Sequence, residues 1–489
     1  MDVYGGSEKE MSLKKQAISG VKWGGVSMGV VTALQFVTLA VLARLLSPSD
    51  FGLMGMIMVV IGFAQAFADM GLSNAIIQRQ GVEEDHLSSF FWINVFAGIV
   101  LFAFILLCRP IAVFYFKQPD LSNYLIFAAF IFLITPVGQI FTTLLRKELK
   151  FKALSKIEIA GMVVYSVTTI GMALAGFGIL SLIFGQLIRS LFTVIILFII
   201  FRKTWLPRFH FSIKEIKSYL SFGAFQMGER VVNYLSANID YIIIGRFLGP
   251  AALGFYTLAY QIVIFPLTKI NPIITRVAFP AFSKIQYDNY RMKKGYCKVI
   301  NYISMISFPM LTGMIVVAPE FIRLVYGPKW ESAIIILQIL CLVGIFKSLG
   351  NPIGSVLLAK GRADIGFYWN IFVVIVVSVA VIVGAHWGIA GVAVAILILQ
   401  TPLFFIIQPV VNKLIDLKFS EYFKAIQSPV ICSVVMLAGI VTLRVIASNM
   451  SALPLFVIII AAGMVIYTSF YYIKDRATFI ELQSLLKGN

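Results

Sequence analysis

Residues 219–286 read YLSFGAFQMGERVVNYLSANIDYIIIGRFLGPAALGFYTLAYQIVIFPLTKINPIITRVAFPAFSKIQ, two long apolar segments joined by the polar turn GRFLGP at 245–250. Ionisable side chains interrupt both segments: Glu229, Arg230, Asp240, Lys269 and Arg276. So do the helix breakers Gly223, Gly228, Pro266, Pro272 and Pro280. At bilayer depth, charges usually face a cavity or a partner, and breakers persist where neighbours or water satisfy the freed backbone groups. The stretch therefore predicts two membrane helices that line a wet passage.

The composition of the whole chain agrees with a membrane protein. The 489 residues are 60% hydrophobic and 13% charged, and the mean hydropathy is +0.93. In a typical soluble protein, about a quarter of the residues are charged. Apolar runs long enough to cross a bilayer recur throughout, so the sequence predicts an all-α polytopic membrane protein. The net charge of +18 is spread over many short loops, which is typical of basic cytoplasmic loops and does not favour a nucleic-acid partner.

Hydropathy predicts about fourteen transmembrane helices in two groups of six and a final pair. The first six are expected near 18–46, 51–77, 88–108, 122–146, 155–175 and 179–202. The second six are expected near 215–247, 251–282, 298–324, 332–358, 367–385 and 388–412, and the final pair near 422–446 and 453–473. The corresponding domains are a cytoplasmic segment at 1–17, an N-lobe at 18–205, a C-lobe at 206–415 and a C-terminal pair with a tail at 416–489.

The distribution of basic residues predicts the orientation of these helices. If the N-terminus is cytoplasmic, most of the 40 Lys and Arg residues lie on cytoplasmic segments, and few lie on the opposite side. Because cytoplasmic loops are enriched in Lys and Arg, both termini are expected in the cytoplasm.

Two short patterns occur twice in the same order. RLLSP at 44–48 corresponds to RFLGP at 246–250, and the Lys-Ala and Gly-Ile pairs at 152 and 178 correspond to Arg-Ala and Gly-Ile at 362 and 388. An even number of helices separates equivalent points, so the two halves should share one orientation. Two six-helix bundles related by an axis along the membrane normal are therefore expected, an arrangement that alternating-access transporters use.

Motifs for enzymatic chemistry are missing from the sequence. There is no G-x-x-x-x-G-K-[ST] phosphate loop, and the three His residues are far apart. The four Cys residues form no C-x-x-C pair and are predicted to be packing residues. No long external loop carries the acid and base that a membrane polymerase or ligase would need. We therefore expect no enzyme, no cofactor and no metal site.

Charged residues within the spans are the candidate functional residues. Cations outnumber acids among them, which favours an anionic ligand, and guanidinium groups bind phosphate through paired hydrogen bonds. The predicted substrate-binding cations are Arg230, Lys269, Arg276 and Lys347. The acids Asp69, Glu229 and Asp240 are predicted to bind a coupling ion or to form salt bridges. Arg189, in the middle of the sixth span, is predicted to have a structural role.

Several segments resemble the polysaccharide exporters of the colanic-acid and teichuronic-acid type. They are AISGVKW at 17–23, LARLLSPSDFG at 42–52, DMGL at 69–72, N-x-D at 238–240, GRFLG at 245–249, LGFYTLA at 253–259 and FPA at 279–281. These exporters belong to the superfamily of multidrug, oligosaccharidyl-lipid and polysaccharide exporters. The resemblance covers nearly the whole chain, and 238–259 is its most specific part.

This resemblance implies two bundles of six helices around a central cavity, lined mainly by the first, second, seventh and eighth helices, with two further helices at the C-terminus. It also implies that the protein moves an undecaprenyl-diphosphate-linked oligosaccharide between the leaflets of the bacterial inner membrane. Cavity cations would then engage the diphosphate, and polar groups such as Gln35, Asn233 and Asn271 would contact sugars. The expected partners are this polyprenyl-linked glycan, membrane lipids and, as candidates, polysaccharide polymerase or assembly proteins.

Two other functions within the superfamily remain open at this point. A flippase for the lipid precursor of peptidoglycan would carry the same diphosphate and would need similar cations. A multidrug/cation antiporter would be expected to have a cavity dominated by acids, and the excess of cations argues against it.

Overall fold

The computed structural model describes residues 4–68, 76 and 84–487. Within the helices, the side chains of 4–19, 21, 68, 213–227, 229, 269–277 and 482–487 lie outside this description. The described residues form helices and connecting turns, without a β-strand. Because the bilayer core offers no water to hydrogen-bond the backbone, helices that satisfy their own N–H and C=O groups are the expected outcome for so apolar a chain.

Sixteen α-helices are numbered in chain order within the described residues. The first eight are α1 (Tyr4–Leu45), α2 (Pro48–Ala68), α3 (Glu84–Phe116), α4 (Leu121–Ala129), α5 (Ile131–Lys147), α6 (Phe151–Leu174), α7 (Leu180–Phe201) and α8 (Ile213–Lys284). The next eight are α9 (Asn289–Phe321), α10 (Ser332–Gly350), α11 (Ile353–Ala359), α12 (Ala363–Ala385), α13 (Gly388–Leu414), α14 (Phe419–Ile446), α15 (Ala452–Lys474) and α16 (Arg476–Lys487). A π-helical turn, Ile322–Tyr326, and a 3₁₀ turn, Pro328–Trp330, follow α9.

Thirteen segments of the described residues are long and apolar enough to cross a membrane. The all-helical, polytopic fold predicted from the sequence is thereby confirmed. The pairs α4–α5 and α10–α11 each form one of these segments. Residues 230–268 also count as one segment, although they cover parts of two predicted helices on either side of the turn at 245–250. The count of fourteen and the pseudo-symmetry of the halves stay predictions.

The chain divides into two compact units, Met1–Arg246 and Phe247–Asn489. The first contains α1 to α7 and the first half of α8, and the second contains the remainder. The predicted domain limits at 17, 205 and 415 stay predictions.

The repeated R-x-L-x-P pattern interrupts the helices at both of its positions. At the first, Ser47 and Asp50 cap α2: the Ser47 N–H donates to Asp50 Oδ2 at 2.8 Å, and the Asp50 N–H donates to Ser47 Oγ at 3.2 Å. This reciprocal cap satisfies two donors that the first turn of a helix leaves without intrahelical partners. At the second, Gly249 has φ 79° and ψ −176°, a conformation essentially restricted to glycine, and it divides α8 into 213–248 and 250–284.

The arginine of the second pattern binds the end of another helix in the first unit. The Arg246 guanidinium donates to the carbonyl oxygens of Tyr115 at 2.6 Å and Phe114 at 3.1 Å, in the last turn of α3. These carbonyls have no N–H partner within their helix, and a cation complements the negative end of the helix dipole. Arg246 therefore fixes one end of the first half of α8 to α3.

Small residues allow the helices of the first unit to approach closely. A Cβ at Gly98 of α3 would lie 2.2 Å from the carbonyl oxygen of Phe132, and a Cβ at Gly185 of α7 would lie 2.0 Å from Thr169 Oγ1. Between α1 and α6, the contact includes a buried hydrogen bond from the Thr38 hydroxyl to Ser166 Oγ at 2.7 Å. Helices α1, α6 and α7 thus form a consecutively packed layer.

Helix α9 is the centre of the second unit and packs against α10, α14 and α15. Polar contacts reinforce its apolar packing with the two C-terminal spans: the Tyr467 hydroxyl donates to the Met305 carbonyl at 2.8 Å, and Arg444 pairs with Glu320 at 2.8 Å. Glu320 is only 9% exposed. Beyond the last span, the Lys298 ammonium donates to Glu481 and holds the pKa of that carboxyl below its usual value.

The Gly249 conformation predicts a specific cost of adding a side chain. The substitution Gly249→Ala should lower the free energy of unfolding by about 1–3 kcal/mol, because φ 79° with ψ −176° strains any residue that has a Cβ. No atom lies within 4 Å of the Cβ position, so strain and not collision is the cause. Thermal unfolding of the purified protein in detergent measures the effect.

Gly228→Ala is the matched control, because Gly228 is a helical glycine of α8 that also has open space around its Cβ position. Alanine is favoured over glycine inside a helix, so this variant should be as stable as the parent or slightly more stable. Equal stability of both variants would contradict the strain at Gly249.

The Glu320–Arg444 pair should behave as a buried ion pair. Arg444→Met should destabilise the protein by about 3 kcal/mol or more, because it leaves a buried carboxylate uncompensated, whereas Arg444→Met with Glu320→Gln should recover most of the loss. Thermal unfolding again provides the measurement. Arg323→Met is the control, because Arg323 pairs with Glu331 at 2.8 Å on the surface, where such pairs contribute at most about 1 kcal/mol. A double variant no more stable than Arg444→Met would overturn this interpretation.

Candidate functional site

The first half of α8 carries three of the predicted site residues on one face. Positions 230, 233 and 240 are spaced by three and seven residues, which places Arg230, Asn233 and Asp240 on one side of the helix. Arg230 is half-buried, Asn233 is exposed and Asp240 is buried at 7% exposure. Each of the three interacts with another residue. The structure thus brings a cation, an amide and an acid together on one helix face of the first unit.

A tyrosine of the same face fixes this helix to α2. The Tyr234 hydroxyl lies 2.9 Å from the carbonyl oxygen of Met58 and 3.1 Å from that of Val59. The ring fits against Gly62, where a Cβ would lie 2.3 Å from the hydroxyl oxygen. Since the helix face is set by these contacts, Tyr234 orients Arg230 and Asn233 with respect to α2.

Lys347 is the predicted cation whose contacts are best defined. Its ammonium, on α10, donates to the Tyr260 hydroxyl at 3.0 Å and lies 4.8 Å from the centre of the Tyr260 ring. The ring of Tyr260 stacks on that of Tyr256, with centroids 5.8 Å apart. Both Lys347 and Tyr260 are half-buried. An aromatic ring attracts a nearby cation through its quadrupole, so the Tyr260 ring favours this position of the ammonium.

The structure describes the side chain of only one of the remaining predicted residues. Gln35 is an exposed residue of α1. Four residues lie in α8, but their side chains are outside the described part: Glu229, Lys269, Asn271 and Arg276. Asp69 lies outside the described residues altogether. The structure therefore does not test whether the predicted cations share one chamber, and the roles of these residues stay predictions.

Sequence reasoning missed the tyrosines on α8 near Arg230 and beside Lys347, and it missed one acid. Tyr234 and Tyr260 gave no signal, because an aromatic residue in an apolar span is ordinary. Glu158 could have been found, since it is an acid inside the span Phe151–Leu174, where it accepts a hydrogen bond from the Ser27 hydroxyl at 3.1 Å. Among the described residues, no group of three or more His, Cys, Asp or Glu side chains is placed to hold a metal ion.

The fold matches that of a solved transporter. A structure described as the lipid II flippase MurJ in an inward closed conformation superposes with a TM-score of 0.73 at 17% identity, and the match covers 94% of this chain and 99% of that one. Together with the thirteen candidate spans, this likeness defines the class: a polytopic helical membrane protein with the fold of that flippase.

Within this class, the chain belongs to the polysaccharide biosynthesis protein family, which matches residues 41–335. It is 39% identical to the teichuronic acid biosynthesis protein TuaB of Bacillus subtilis, over 93% of this chain and 95% of TuaB. It is 36% identical to the lipopolysaccharide biosynthesis protein WzxC of Escherichia coli, over 80% of each chain. The family suggested by the sequence motifs is confirmed.

The Tyr234–Gly62 contact predicts a coupled effect of two substitutions. Gly62→Ala should destabilise the protein by about 1–3 kcal/mol, because the new methyl group collides with the Tyr234 ring and displaces its hydroxyl from the α2 carbonyls. In a Tyr234→Leu background, the same change should cost much less, since the colliding ring atoms are gone. Thermal unfolding of the four proteins of this cycle gives the coupling.

Gly24→Ala serves as the control, because open space surrounds the Cβ position of that α1 glycine. Additive effects of Gly62→Ala and Tyr234→Leu would show that the two residues do not constrain each other.

Proposed function

We propose that this protein is a flippase that moves undecaprenyl-diphosphate-linked oligosaccharide from the inner to the outer leaflet of the cytoplasmic membrane, for surface polysaccharide assembly. The 39% identity with TuaB over almost the full length of both chains supports the polysaccharide pathway. The observation that carries the mechanism is the presence of half-buried cations, Arg230 and Lys347, inside apolar spans. By default, an ionisable residue within a membrane span marks a functional site.

The cations are assigned to the diphosphate. Arg230 presents a planar set of donors that matches two phosphate oxygens, whereas an ammonium such as that of Lys347 acts as a compact charge. Lys269 and Arg276 complete the proposed set. The exposed amides of Gln35 and Asn233, with that of Asn271, would hydrogen-bond the sugars, whose hydroxyl groups both donate and accept.

The acids predicted within the spans are assigned to the binding of a coupling ion or to salt bridges. Asp240 is buried and already accepts from the backbone N–H of Tyr241 at 2.9 Å, so a proton or a cation would bind there in competition with existing contacts. Asp69 and Glu229 are assigned the same two roles, because they are acids within predicted apolar spans.

The transport cycle would be an alternating-access one. The lobes at 18–205 and 206–415 would rock about the bound headgroup while the lipid tail stays in the bilayer. With both termini in the cytoplasm, an inside-negative potential would favour outward movement of the anion by about 2.3 kcal/mol per charge per 100 mV. The cycle needs no bond to be broken, so no catalytic residue is assigned.

The sequence identities with known relatives favour one of the two lipid-linked substrates. A peptidoglycan precursor flippase would fit the fold, but the likeness to MurJ is at 17% identity, whereas TuaB is identical at 39%. We therefore favour surface polysaccharide as the product of the pathway. A multidrug/cation antiporter is disfavoured by the excess of cations within the spans.

Complementation tests this function. In a bacterial strain that lacks its own polysaccharide exporter, the protein should lower the level of accumulated lipid-linked glycan, measured in extracted lipids. Arg230→Ala and Lys347→Met should each reduce this clearance at least about tenfold at equal protein levels, because each removes a charge-assisted contact with the diphosphate.

Arg202→Ala is the control, since Arg202 is an exposed residue just beyond the end of α7. Several exporter-deficient strains that make different glycans are compared. If the parent protein leaves the level of lipid-linked glycan unchanged in all of them, the flippase function is wrong. If the parent clears the glycan and both cation variants clear it equally well, those side chains are not part of the mechanism.

A further inference from the structure

Arg189 is a charged residue in the middle of an apolar span of the first unit. It lies nine residues into α7, about 13 Å from the start of the helix at 1.5 Å per residue. The span Leu180–Phe201 has a mean hydropathy of 2.3, and Arg189 lies near the middle of this span. The side chain is half-buried. The sequence alone predicts a structural role for Arg189. If this role is an ion pair, a carboxylate should lie beside the guanidinium.

The contacts of Arg189 within the described residues do not include such a pair. Its side chain lies on Gly161 of α6, with Cγ and Nε 3.6 and 3.7 Å from the Cβ position of that glycine. One terminal nitrogen approaches the Met162 sulfur at 4.0 Å. A thioether is a weak acceptor, and a guanidinium has five donors. No carboxylate of the described residues lies within 4.0 Å of it.

The nearest acid along α6 is engaged elsewhere. Glu158 precedes Gly161 and Met162 by three and four positions and therefore lies one helical turn away on the same face. Its carboxylate accepts a hydrogen bond from Ser27 of α1 at 3.1 Å instead of from Arg189. A purely structural arginine would be expected to pair with an acid so near, because an unpaired charge in the bilayer costs several kcal/mol.

Within the described part of the chain, the Arg189 guanidinium therefore lies beside a glycine and a thioether and contacts no carboxylate. We propose that Arg189 binds a phosphate oxygen of the prenyl diphosphate carried by this protein. This inference rests on the proposed function and adds a phosphate contact where α7 meets α6. Two parallel N–H···O bonds to one phosphate group would satisfy the guanidinium better than a thioether does.

The other anion that such a lipid can carry is a uronic acid of its glycan. The depth of Arg189 favours the diphosphate, because that group is attached directly to the lipid and a sugar carboxylate is attached to the polar glycan. The experiment includes both anions so that the two sources can be told apart.

Binding of farnesyl diphosphate to the full-length protein in lipid nanodiscs tests the proposal. Isothermal titration should show that Arg189→Met binds this probe at least about tenfold more weakly than the parent, since a charge-assisted hydrogen bond contributes that much. Arg189→Lys, which keeps the charge and loses the paired donors, should fall between the two. Farnesol, which has no phosphate, should bind all three proteins alike, and Arg202→Met should match the parent.

Each result decides one question. If the parent binds farnesyl diphosphate no better than farnesol, the diphosphate site of the proposed function is wrong as a whole. If the parent prefers the diphosphate and both Arg189 variants bind it as the parent does, only this inference is overturned, and Arg189 is structural. Weaker competition by sodium glucuronate in Arg189→Met than in the parent, with farnesyl diphosphate binding unchanged, would assign Arg189 to the glycan instead. Because Arg189→Lys retains the charge, it keeps the test valid if thermal unfolding shows that Arg189→Met is unstable.

Discussion

A charge inside an apolar bilayer must be compensated, and this constraint accounts for the contacts of several cations of the protein. Removing an ion from water costs far more than a single surface contact returns, so every buried or half-buried cation is expected to have a purpose-built neighbour. Arg444 finds a carboxylate on α9, Arg246 finds the free carbonyls at the end of α3, and Lys347 finds the ring and hydroxyl of Tyr260. A carboxylate, backbone carbonyls and an aromatic ring thus each stabilise a cation within the protein.

The same constraint separates structural cations from candidate functional ones. Arg444 and Arg246 bind strong, fixed acceptors of the protein, and their positions hold helices together. Lys347 donates to the Tyr260 hydroxyl and lies over the ring of that residue. Arg189 has a thioether in place of an acid among its described contacts. Such a contact leaves the Arg189 guanidinium suited to bind an anion that arrives and leaves.

Breaks in the helices decide where these side chains can act. Ser47 ends one long apolar run with a capping box, and Gly249 ends the equivalent run with a backbone conformation that only glycine adopts readily. A bilayer tolerates such breaks only near its surface or beside polar surroundings, because freed backbone groups need partners. The Gly249 break also lies next to the limit between the two compact units, so residues on either side of it belong to different parts of the molecule.

The sequence by itself determined the class, the family and the apolar spans, because the bilayer acts on each segment separately and its demand for apolar residues can be summed along the chain. It also identified Arg230, Asp240 and Lys347 as unusual, since any ionisable residue in a span is conspicuous. Only the tertiary structure decided which neighbours those residues have. The contacts of Tyr234 with Gly62, of Arg444 with Glu320 and of Arg189 with Met162 depend on which helices are adjacent and in what register. Hydropathy carries no information on that choice, because every apolar helix face packs against another in much the same way.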